Sequence, residues 1–218
     1  FYGGLAVVSL DGKYGYINGK GEEVIALKYD YAEAFSYTFT CVQYNGKFGL
    51  INTKDSAVVP FIYDEMVSKY STDEESYNYN PVWYKVRKAN KYGSAKASKE
   101  GRWGIIDSVN NVIIDFKYDF VNNFTESMAA VESGGKWGFC NEHGYEICKI
   151  KYEAVENFSE GYAAVKYNGK WGFIDKDGKE VVPCIYTSVT NFNGGFSIAV
   201  AGKKTYSIEA GLFTRTKM

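Results

Sequence analysis

One short pattern returns along most of the chain, and it constrains the fold more than any other feature. A glycine, a basic residue, an aromatic residue and a second glycine recur at intervals of about 34 residues, with one longer interval. Because equivalent residues occupy every copy, a side chain that resembles a catalytic group in one copy is better interpreted as architecture. The five copies are Gly12-Lys13-Tyr14-Gly15, Gly46-Lys47-Phe48-Gly49, Gly101-Arg102-Trp103-Gly104, Gly135-Lys136-Trp137-Gly138 and Gly169-Lys170-Trp171-Gly172.

The residues that follow each copy predict a tight turn. An Asn or Asp comes soon after the aromatic residue, and a Gly, Asp or Asn stands a few residues further on. All three of these types tolerate positive φ, and Asn and Asp side chains bond local backbone N–H groups. We therefore interpret the Asn/Asp series as turn formers rather than as catalytic carboxylates. The series is Asn18, Asn52, Asp107, Asn141 and Asp175.

The segments between the turns favour strands over helices. They are rich in Val, Ile, Tyr and Phe, and no segment carries a long apolar stripe with the period of a helix. In the clearest copy, strands are predicted near residues 163–167, 170–175 and 180–185, the first two joined by an Asn168-Gly169 hairpin turn. The third strand is apolar on both faces, which predicts a layer covered on both sides.

The aromatic residue and the glycine after it are predicted to build the core of each unit. A glycine inside a strand weakens it unless the space is needed, so we expect a neighbouring backbone or side chain to pack on it. Burial of a large aromatic side chain contributes about 1.5–3 kcal/mol, which favours core positions for the aromatic series. The alternative is that Trp103, Trp137 and Trp171 form an exposed ladder that stacks on sugars.

Residues 169–186 resemble the bacterial WG-repeat family, also called the KWG repeats. The resemblance rests on Gly169-Lys170-Trp171-Gly172-Phe173-Ile174-Asp175 through to Tyr186, and it extends over residues 1–192. The chain departs from the family pattern where Tyr14 and Phe48 replace the tryptophan. The resemblance implies a β-rich repeat architecture, and it implies no particular reaction or ligand.

The repeats and the resemblance together predict an all-β chain of tandem three-stranded antiparallel units. We expect a twisted, solenoid-like array, with propeller-like closure as the alternative. The chain begins in register, since Phe1 aligns with Phe158, so it is expected to be a fragment or a processed product. A single array is predicted, with units near 1–34, 35–69, 70–123, 124–157 and 158–191 and a degenerate C-terminal cap at 192–218.

The third unit is longer than the others by about 21 residues. One insertion, at 71–80, is acidic and aromatic; a strand is predicted at 81–86; and a second insertion, near 87–100, is basic and replaces the short turn. Such replacements often carry variable binding surfaces, although two solvated loops would also explain them. The candidate partner-binding residues are Tyr77, Tyr79, Trp83, Arg87, Lys88, Lys91, Lys96 and Lys99.

The sequence predicts no catalytic, cofactor-binding or metal site. His143 is the only histidine, and it stands in a turn, where we expect it to be exposed. The four cysteines form no CxxC pair, so a zinc site is not expected; small buried apolar roles are favoured, with a Cys140–Cys148 disulfide as the alternative. The acids that follow a tyrosine in four copies are interpreted as turn formers: Asp30, Asp64, Asp119 and Glu153.

Charge and hydropathy restrict the class of partner. The net charge is −1, which gives no electrostatic reason to expect nucleic acid, and no transmembrane segment or signal peptide is evident. We therefore predict a non-enzymatic scaffold or protein-binding module, with a carbohydrate-binding module that uses the repeated aromatics as the alternative and an enzyme fragment as the third hypothesis. The cell envelope or exterior is favoured as the compartment, and the unpaired cysteines keep the cytoplasm open.

Overall fold

A computed structural model describes residues 4–35, 38–68, 83–88 and 101–217, without the side chains of Ser68 and Arg215. Within these ranges every regular element is a β-strand and no helix forms, which confirms the predicted all-β class. The chain divides into two compact units, Phe1–Phe116 and Lys117–Met218. The single array and its unit boundaries stay predictions.

The first unit contains three antiparallel sheets, except for the last two residues of the third sheet. The first sheet has the order β1-β2-β3, the second has β4-β5-β6-β7, and the third has β11-β10-β9-β8. The strands are β1 Leu5–Leu10, β2 Lys13–Asn18, β3 Glu23–Tyr29, β4 Tyr31–Ala32, β5 Phe39–Tyr44, β6 Lys47–Asn52, β7 Ala57–Tyr63, β8 Glu65–Ser68, β9 Tyr84–Lys88, β10 Arg102–Ile106 and β11 Val112–Tyr118.

The second unit also contains three antiparallel sheets. The fourth sheet has the order β12-β13-β14, the fifth has β15-β16-β17-β18, and the sixth has β19-β20-β21-β22. The strands are β12 Phe120–Val121, β13 Met128–Ser133, β14 Lys136–Asn141, β15 Ala154–Val155, β16 Tyr162–Tyr167, β17 Lys170–Asp175, β18 Glu180–Tyr186, β19 Ser188–Val189, β20 Phe196–Ala201, β21 Lys204–Glu209 and β22 Arg215–Lys217.

A short strand that the sequence did not predict joins consecutive repeats. In the second sheet, β4 pairs with β5 through Tyr31↔Gln43 and Ala32↔Val42. The fifth sheet repeats the arrangement, with Ala154↔Lys166 and Val155↔Val165. Most sheets therefore have four strands instead of the predicted three, because the last residues of each repeat form the edge of the next sheet.

The core lies between consecutive sheets. Within each unit, the residue two positions after the aromatic position points to the next sheet along the chain, and we call this side the forward face. The residue that follows it points to the preceding sheet, on the backward face. In the second unit, Phe139 of the fourth sheet clusters with Ile174 of the fifth. Phe173 of the fifth sheet clusters in turn with Ile208 and Ala199 of the sixth. Within each unit, burial therefore depends on neighbouring sheets.

The glycine after each aromatic position makes room for a neighbouring segment, as predicted, and outside the fourth sheet this segment is the third strand. A Cβ atom on Gly172 would lie 2.4 Å from the carbonyl oxygen of Val182, and one on Gly15 would lie 2.5 Å from that of Ile25. Beside this contact the register shifts, since Trp171 pairs with Tyr186 and Phe173 with Val182. The third strand therefore bulges over the glycine, an arrangement that a Cβ atom would prevent.

This bulge also explains why one prediction for the third strand is wrong. Val182 and Tyr186 are buried, but Pro183 is exposed and Ile185 keeps 45% of its surface exposed. The strand was expected to be covered on both sides. Instead β18 is the edge of its sheet, and the residues of the bulge turn outward.

The aromatic position of the repeat lies at the rim of the core. Tyr14, Phe48, Trp137 and Trp171 pack against the core clusters, so the prediction that these rings contribute to the core holds in part. All five rings are half-buried. Each opens the second long strand beside the hairpin turn, opposite residues such as Gln43, Glu132 and Lys166. The fully buried side chains stand two residues later, namely Tyr16, Leu50, Ile105, Phe139 and Phe173.

Candidate interaction surface

Three of the predicted partner-binding residues lie in or beside strand β9 of the third sheet. Trp83 immediately precedes β9 and is half-buried, and Arg87 and Lys88 are the last two residues of β9. The strand thus extends beyond the predicted 81–86, because Arg87 pairs with Trp103 and Lys88 with Arg102. Arg87 and Lys88 were placed in a loop insertion, and that placement is wrong. Five candidates lie outside the described residues, namely Tyr77, Tyr79, Lys91, Lys96 and Lys99.

Two cationic side chains lie close to the Trp103 ring. The Lys85 ammonium nitrogen lies 4.7 Å from the ring centroid, and the Arg87 guanidinium carbon lies 5.9 Å from it. The Arg87 Nε atom also donates to Glu65 Oε2 at 3.1 Å. Opposite Lys85 stands Val67, which keeps 36% of its surface exposed. We call this set the third-sheet patch: Glu65, Val67, Lys85, Arg87 and Trp103.

A row of aromatic rings runs along the rim of the first two sheets. The Tyr31 ring lies between two rings of the repeated aromatic position, 6.1 Å from the Tyr14 centroid and 6.2 Å from the Phe48 centroid. Tyr31 keeps 41% of its surface exposed, and its neighbours are half-buried. We call Tyr14, Tyr31 and Phe48 the aromatic row.

The acids that follow each tyrosine hold the hairpin turn of the next repeat, which confirms their structural interpretation. Asp30 Oδ2 accepts the Gly46 N–H at 3.0 Å, and Glu153 accepts the Gly169 N–H. Asp30 also bonds the Lys13 ammonium at 2.6 Å. The Lys13 bond lowers the pKa of the Asp30 carboxyl below its ordinary value, and the Gly46 N–H adds to this effect.

The Asn/Asp series forms turns in every copy, as predicted. The Asn141 Oδ1 atom accepts the backbone N–H groups of His143 and Tyr145, both at 3.0 Å. Asn18, Asn52, Asp107 and Asp175 accept the equivalent pair of N–H groups. His143 is exposed, as expected for a turn residue. These carboxylate and amide groups are therefore occupied by local backbone bonds.

Tyrosines of one repeat bind the turn of the next, which the sequence analysis did not foresee. The Tyr63 hydroxyl donates to Asn110 Oδ1 at 2.7 Å, and the Tyr118 hydroxyl donates to Glu146 Oε1 at 2.8 Å. Tyr29 donates to Asp55 in the same way. Burial raises the pKa of the Tyr63 hydroxyl, so it stays protonated and able to donate. The sequence contains both partners of these bonds, because each of these tyrosines precedes a turn that has an acceptor side chain in it or beside it. Sequence spacing alone, however, does not show which donor meets which acceptor.

A second link between repeats was also missed. The Glu160 carboxylate accepts the N–H groups of Gly194 and Gly195, at 2.7 and 2.9 Å, in the equivalent turn of the following repeat. Glu126 accepts the Gly161 N–H at 2.9 Å one repeat earlier. Both glutamates occupy the same place after a phenylalanine, and this spacing could have identified them.

The four cysteines lie in the described ranges, where Cys41 and Cys140 are buried and Cys148 and Cys184 are half-buried. None of the four cysteines forms a disulfide, so the alternative of a Cys140–Cys148 disulfide is wrong. Burial raises the pKa values of the Cys148 and Cys184 thiols to about 11, which keeps both protonated at neutral pH. Across residues 4–35, 38–68, 83–88 and 101–217, no group of His, Cys, Asp and Glu is arranged to hold a metal ion, and no helix could span a membrane.

Comparison with solved structures gives distant similarities. A crystal structure of a eukaryotic initiation factor has 9% identity and a TM-score of 0.47, over 99% of this chain and 61% of that one. Kluyveromyces lactis Hsv2 has 13% identity and a TM-score of 0.41, over 83% and 60% of the two chains. The AfRom2 CNH domain has 9% identity and a TM-score of 0.36, over 97% and 83%. The chain thus spans about three fifths of the first two proteins, and a comparison with curated proteins finds no match.

A family model accounts for most of the repeats described above. The model of the WG containing repeat matches residues 14–48, 48–92, 103–137, 137–171 and 171–204. Each match starts at the aromatic position of one repeat, and every match except the second ends at or beside the equivalent position of the next repeat. The chain therefore belongs to the family of proteins built from the WG containing repeat.

Proposed function

We propose that this chain is a non-enzymatic, protein-binding repeat module, and that the third-sheet patch contacts the partner. The observation that supports the proposal is the position of Lys85 and Arg87 against the half-buried Trp103 ring. Tryptophan and arginine are enriched among the residues that dominate the energy of protein interfaces. The third-sheet patch thus provides an aromatic anchor, two cations and an exposed apolar neighbour.

The strand setting favours this patch as a binding surface. Lys85 and Arg87 lie on a hydrogen-bonded strand between β8 and β10, so their backbone is fixed before a partner arrives. A fixed backbone lowers the entropy cost of binding. The acidic and aromatic residues of 71–80 and the basic residues of 87–100 stay candidates for additional contacts.

A crosslinking experiment identifies the partner. A photo-reactive amino acid placed at Val67 is expected to capture one predominant protein from cells of the source organism. The same group placed at Lys203, an exposed hairpin residue of the sixth sheet, is expected not to capture it. Capture of the same protein from both positions would contradict a contact at the third-sheet patch.

The purified partner then allows a quantitative test. The double substitution Lys85→Glu and Arg87→Glu is expected to weaken binding about tenfold or more in calorimetry, because both cations lose their attraction for the partner. The matched control is Lys203→Glu with Lys204→Glu, two exposed lysines with the same change of charge. Equal affinities of the two double variants would argue against the proposed surface.

We propose carbohydrate binding as the second candidate, because the aromatic row offers partly exposed rings. Tyr31 lies between Tyr14 and Phe48, and sugars stack on aromatic faces of this kind. Titration with a glycan library is expected to change tyrosine fluorescence in the wild-type chain and not in Tyr31→Ala. A matched control is Tyr145→Ala, an exposed turn residue outside the row. No fluorescence change with any glycan would count against this candidate.

The non-enzymatic part of the proposal rests on the roles of the polar groups. The repeated acids hold turns, the buried thiols stay protonated, and His143 is an exposed turn residue. Any hydrolytic activity detected in the purified chain is expected to persist in His143→Ala as a co-purified contaminant. Loss of such activity in this variant would contradict the proposal.

A further inference from the structure

The acid that follows a repeated tyrosine occupies a small anion site built by two consecutive repeats. Asp30 contacts the Lys13 ammonium of its own repeat at 2.6 Å, and it accepts the Gly46 N–H of the next hairpin turn at 3.0 Å. Parts of this arrangement recur in later repeats: the cation in Lys47 with Asp64, and the turn N–H in Gly134 with Asp119 and in Gly169 with Glu153. The site therefore joins a cation of one repeat to a turn N–H of the following repeat.

This environment favours a charged carboxylate. The Lys13 bond lowers the pKa of the Asp30 carboxyl, and the Gly46 N–H adds to the effect, because a cation and a hydrogen-bond donor both stabilise the ionised form. A repeat that keeps the cation and the N–H but lacks the acid therefore offers the same environment to a carboxylate of another molecule.

In the fifth repeat, Thr187 stands where the other repeats have the acid. Its backbone position is the same, since the Thr187 N–H donates to the Val200 carbonyl oxygen as the Asp30 N–H donates to that of Gln43. The Thr187 hydroxyl also donates to the Val200 oxygen, at 2.8 Å. Thr187 therefore supplies no negative charge at the place of the acid.

The cation and the turn N–H of this site are both present. Lys170, the counterpart of Lys13, is exposed, and no carboxylate of the described residues lies within ion-pair distance of it. Gly202, the counterpart of Gly134 in the hairpin of the sixth sheet, is also exposed, and its N–H has no acceptor among the described groups. We call Lys170, Thr187 and Gly202 the Thr187 site.

We propose that the Thr187 site binds a carboxylate group supplied by another molecule. The Lys170 ammonium provides the charge and the Gly202 N–H provides the hydrogen bond, the two interactions that Asp30 receives in its own site. The Thr187 site belongs to the second unit, shares no residue with the third-sheet patch and goes beyond the proposed protein-binding function. Because it is exposed, we expect weak binding in the millimolar range that salt screens.

Nuclear magnetic resonance of the 218-residue chain, labelled with ¹⁵N-glycine, tests the proposal. Titration with sodium acetate is expected to shift the Gly202 amide resonance to saturation, and sodium chloride at equal ionic strength is expected to shift it much less. Gly46 and Gly169 provide internal controls, because their N–H groups already donate to carboxylates of the chain. A Gly202 resonance that responds equally to both salts would overturn the proposal.

A reciprocal pair of substitutions moves the acid between repeats. Thr187→Asp places a carboxylate of the chain in the site, and it is expected to abolish the acetate response of Gly202, because an intramolecular group competes at high effective concentration. Asp30→Thr reproduces the fifth repeat in the first, so Gly46 is expected to gain an acetate response. Thr187→Val, which adds no charge, is expected to keep the response of Gly202. An unchanged response in Thr187→Asp would sink the idea.

The cation is tested separately. Lys170→Gln is expected to weaken acetate binding about two- to fivefold, the range typical of an exposed ion pair. The matched control is Lys149→Gln, an exposed lysine outside the site, which is expected to leave the affinity unchanged. Equal affinities of the two variants would rule out the assigned role of Lys170 and with it the proposed site.

A capped tripeptide, glycine–glutamate–glycine, distinguishes the two sources of the carboxylate. Tighter binding of this peptide than of acetate would support a protein side chain as the ligand, and equal or weaker binding would support a free small carboxylate. The same tripeptide with glutamine is expected not to shift the Gly202 resonance. Equal binding of the glutamine and glutamate peptides would contradict recognition of a carboxylate.

Discussion

At the scale of single residues, the glycine after the aromatic position imposes the strictest requirement in the repeat. Gly172 leaves 2.4 Å between a hypothetical Cβ atom and the Val182 carbonyl oxygen. Because the obstacle is backbone, no side-chain rotation relieves it. The third strand would have to move away, and its pairing with β17 would weaken.

Gly172→Ala is therefore expected to destabilise the chain by about 1–3 kcal/mol, the range typical of overpacking. The matched control is Gly19→Ala, since a Cβ atom on Gly19 meets nothing within 4 Å. That control is expected to change stability by about 0.5 kcal/mol or less. Urea denaturation of both variants measures the difference, and equal midpoints would contradict the close approach.

The ion pair of Asp30 predicts a dependence of stability on pH. The pKa of this carboxyl is lower in the folded chain than in the unfolded chain, so the folded state favours the ionised form. The stabilisation is complete above the unfolded value of 3.8 and is lost as the pH falls through the folded value.

Asp30→Asn is accordingly expected to lower the urea midpoint at pH 6 and to have less effect at pH 3. Asp177→Asn, in an exposed turn, changes the same charge and is expected to have little effect at either pH. A pH-independent effect of Asp30→Asn would show that the hydrogen-bond geometry, and not the charge, supports the turn.

At the scale of strands and turns, the links between repeats are polar as well as apolar. The Tyr63 hydroxyl reaches Asn110 across a large separation in sequence. Each such bond ties the end of one third strand to the turn before the next. These bonds therefore help to hold consecutive sheets of one unit in a fixed position relative to each other.

Tyr63→Phe is expected to cost about 0.5–1.5 kcal/mol, because one net hydrogen bond is lost without loss of ring packing. Tyr186→Phe provides the control, since no hydroxyl partner of Tyr186 occurs among the described side chains. A double-mutant cycle of Tyr63→Phe with Asn110→Ala isolates the pair. A coupling energy near zero would mean that the bond does not contribute to stability.

The sequence predicted correctly those features that depend on interactions between residues close together in the chain. The Asn/Asp turns and the space above Gly172 follow from local backbone chemistry, and the structure contains both. The predictions from sequence failed for features that depend on contacts between segments far apart in the chain. The burial of Trp171 depends on the sheet beside it, and β15 exists only because the next repeat offers a strand edge. The sequence identified Arg87 as a residue of the candidate site. It could not predict the contact of Arg87 with the Trp103 ring, because that contact depends on the register between β9 and β10.

At the scale of the whole molecule, core formation is distributed among neighbouring sheets. Ile208 of the sixth sheet is buried against Phe173 of the fifth, and the cluster that contains both includes no residue of the first unit. When each sheet packs only on its neighbours, a destabilising substitution lowers mainly the stability of the adjacent sheets. The loss of one buried side chain is therefore expected to destabilise its own sheet and the sheets beside it.

Ile208→Ala is expected to cost about 2–5 kcal/mol of local stability, because it removes buried methyl groups and leaves a cavity. Hydrogen exchange measured by mass spectrometry is expected to accelerate in β16–β18 and β20–β21, and to stay unchanged in β1–β7. Ile185→Ala, at a residue that is 45% exposed, controls for the change in side-chain size. Uniform acceleration through both units would show that the chain opens as one cooperative body, which nearest-neighbour packing does not predict.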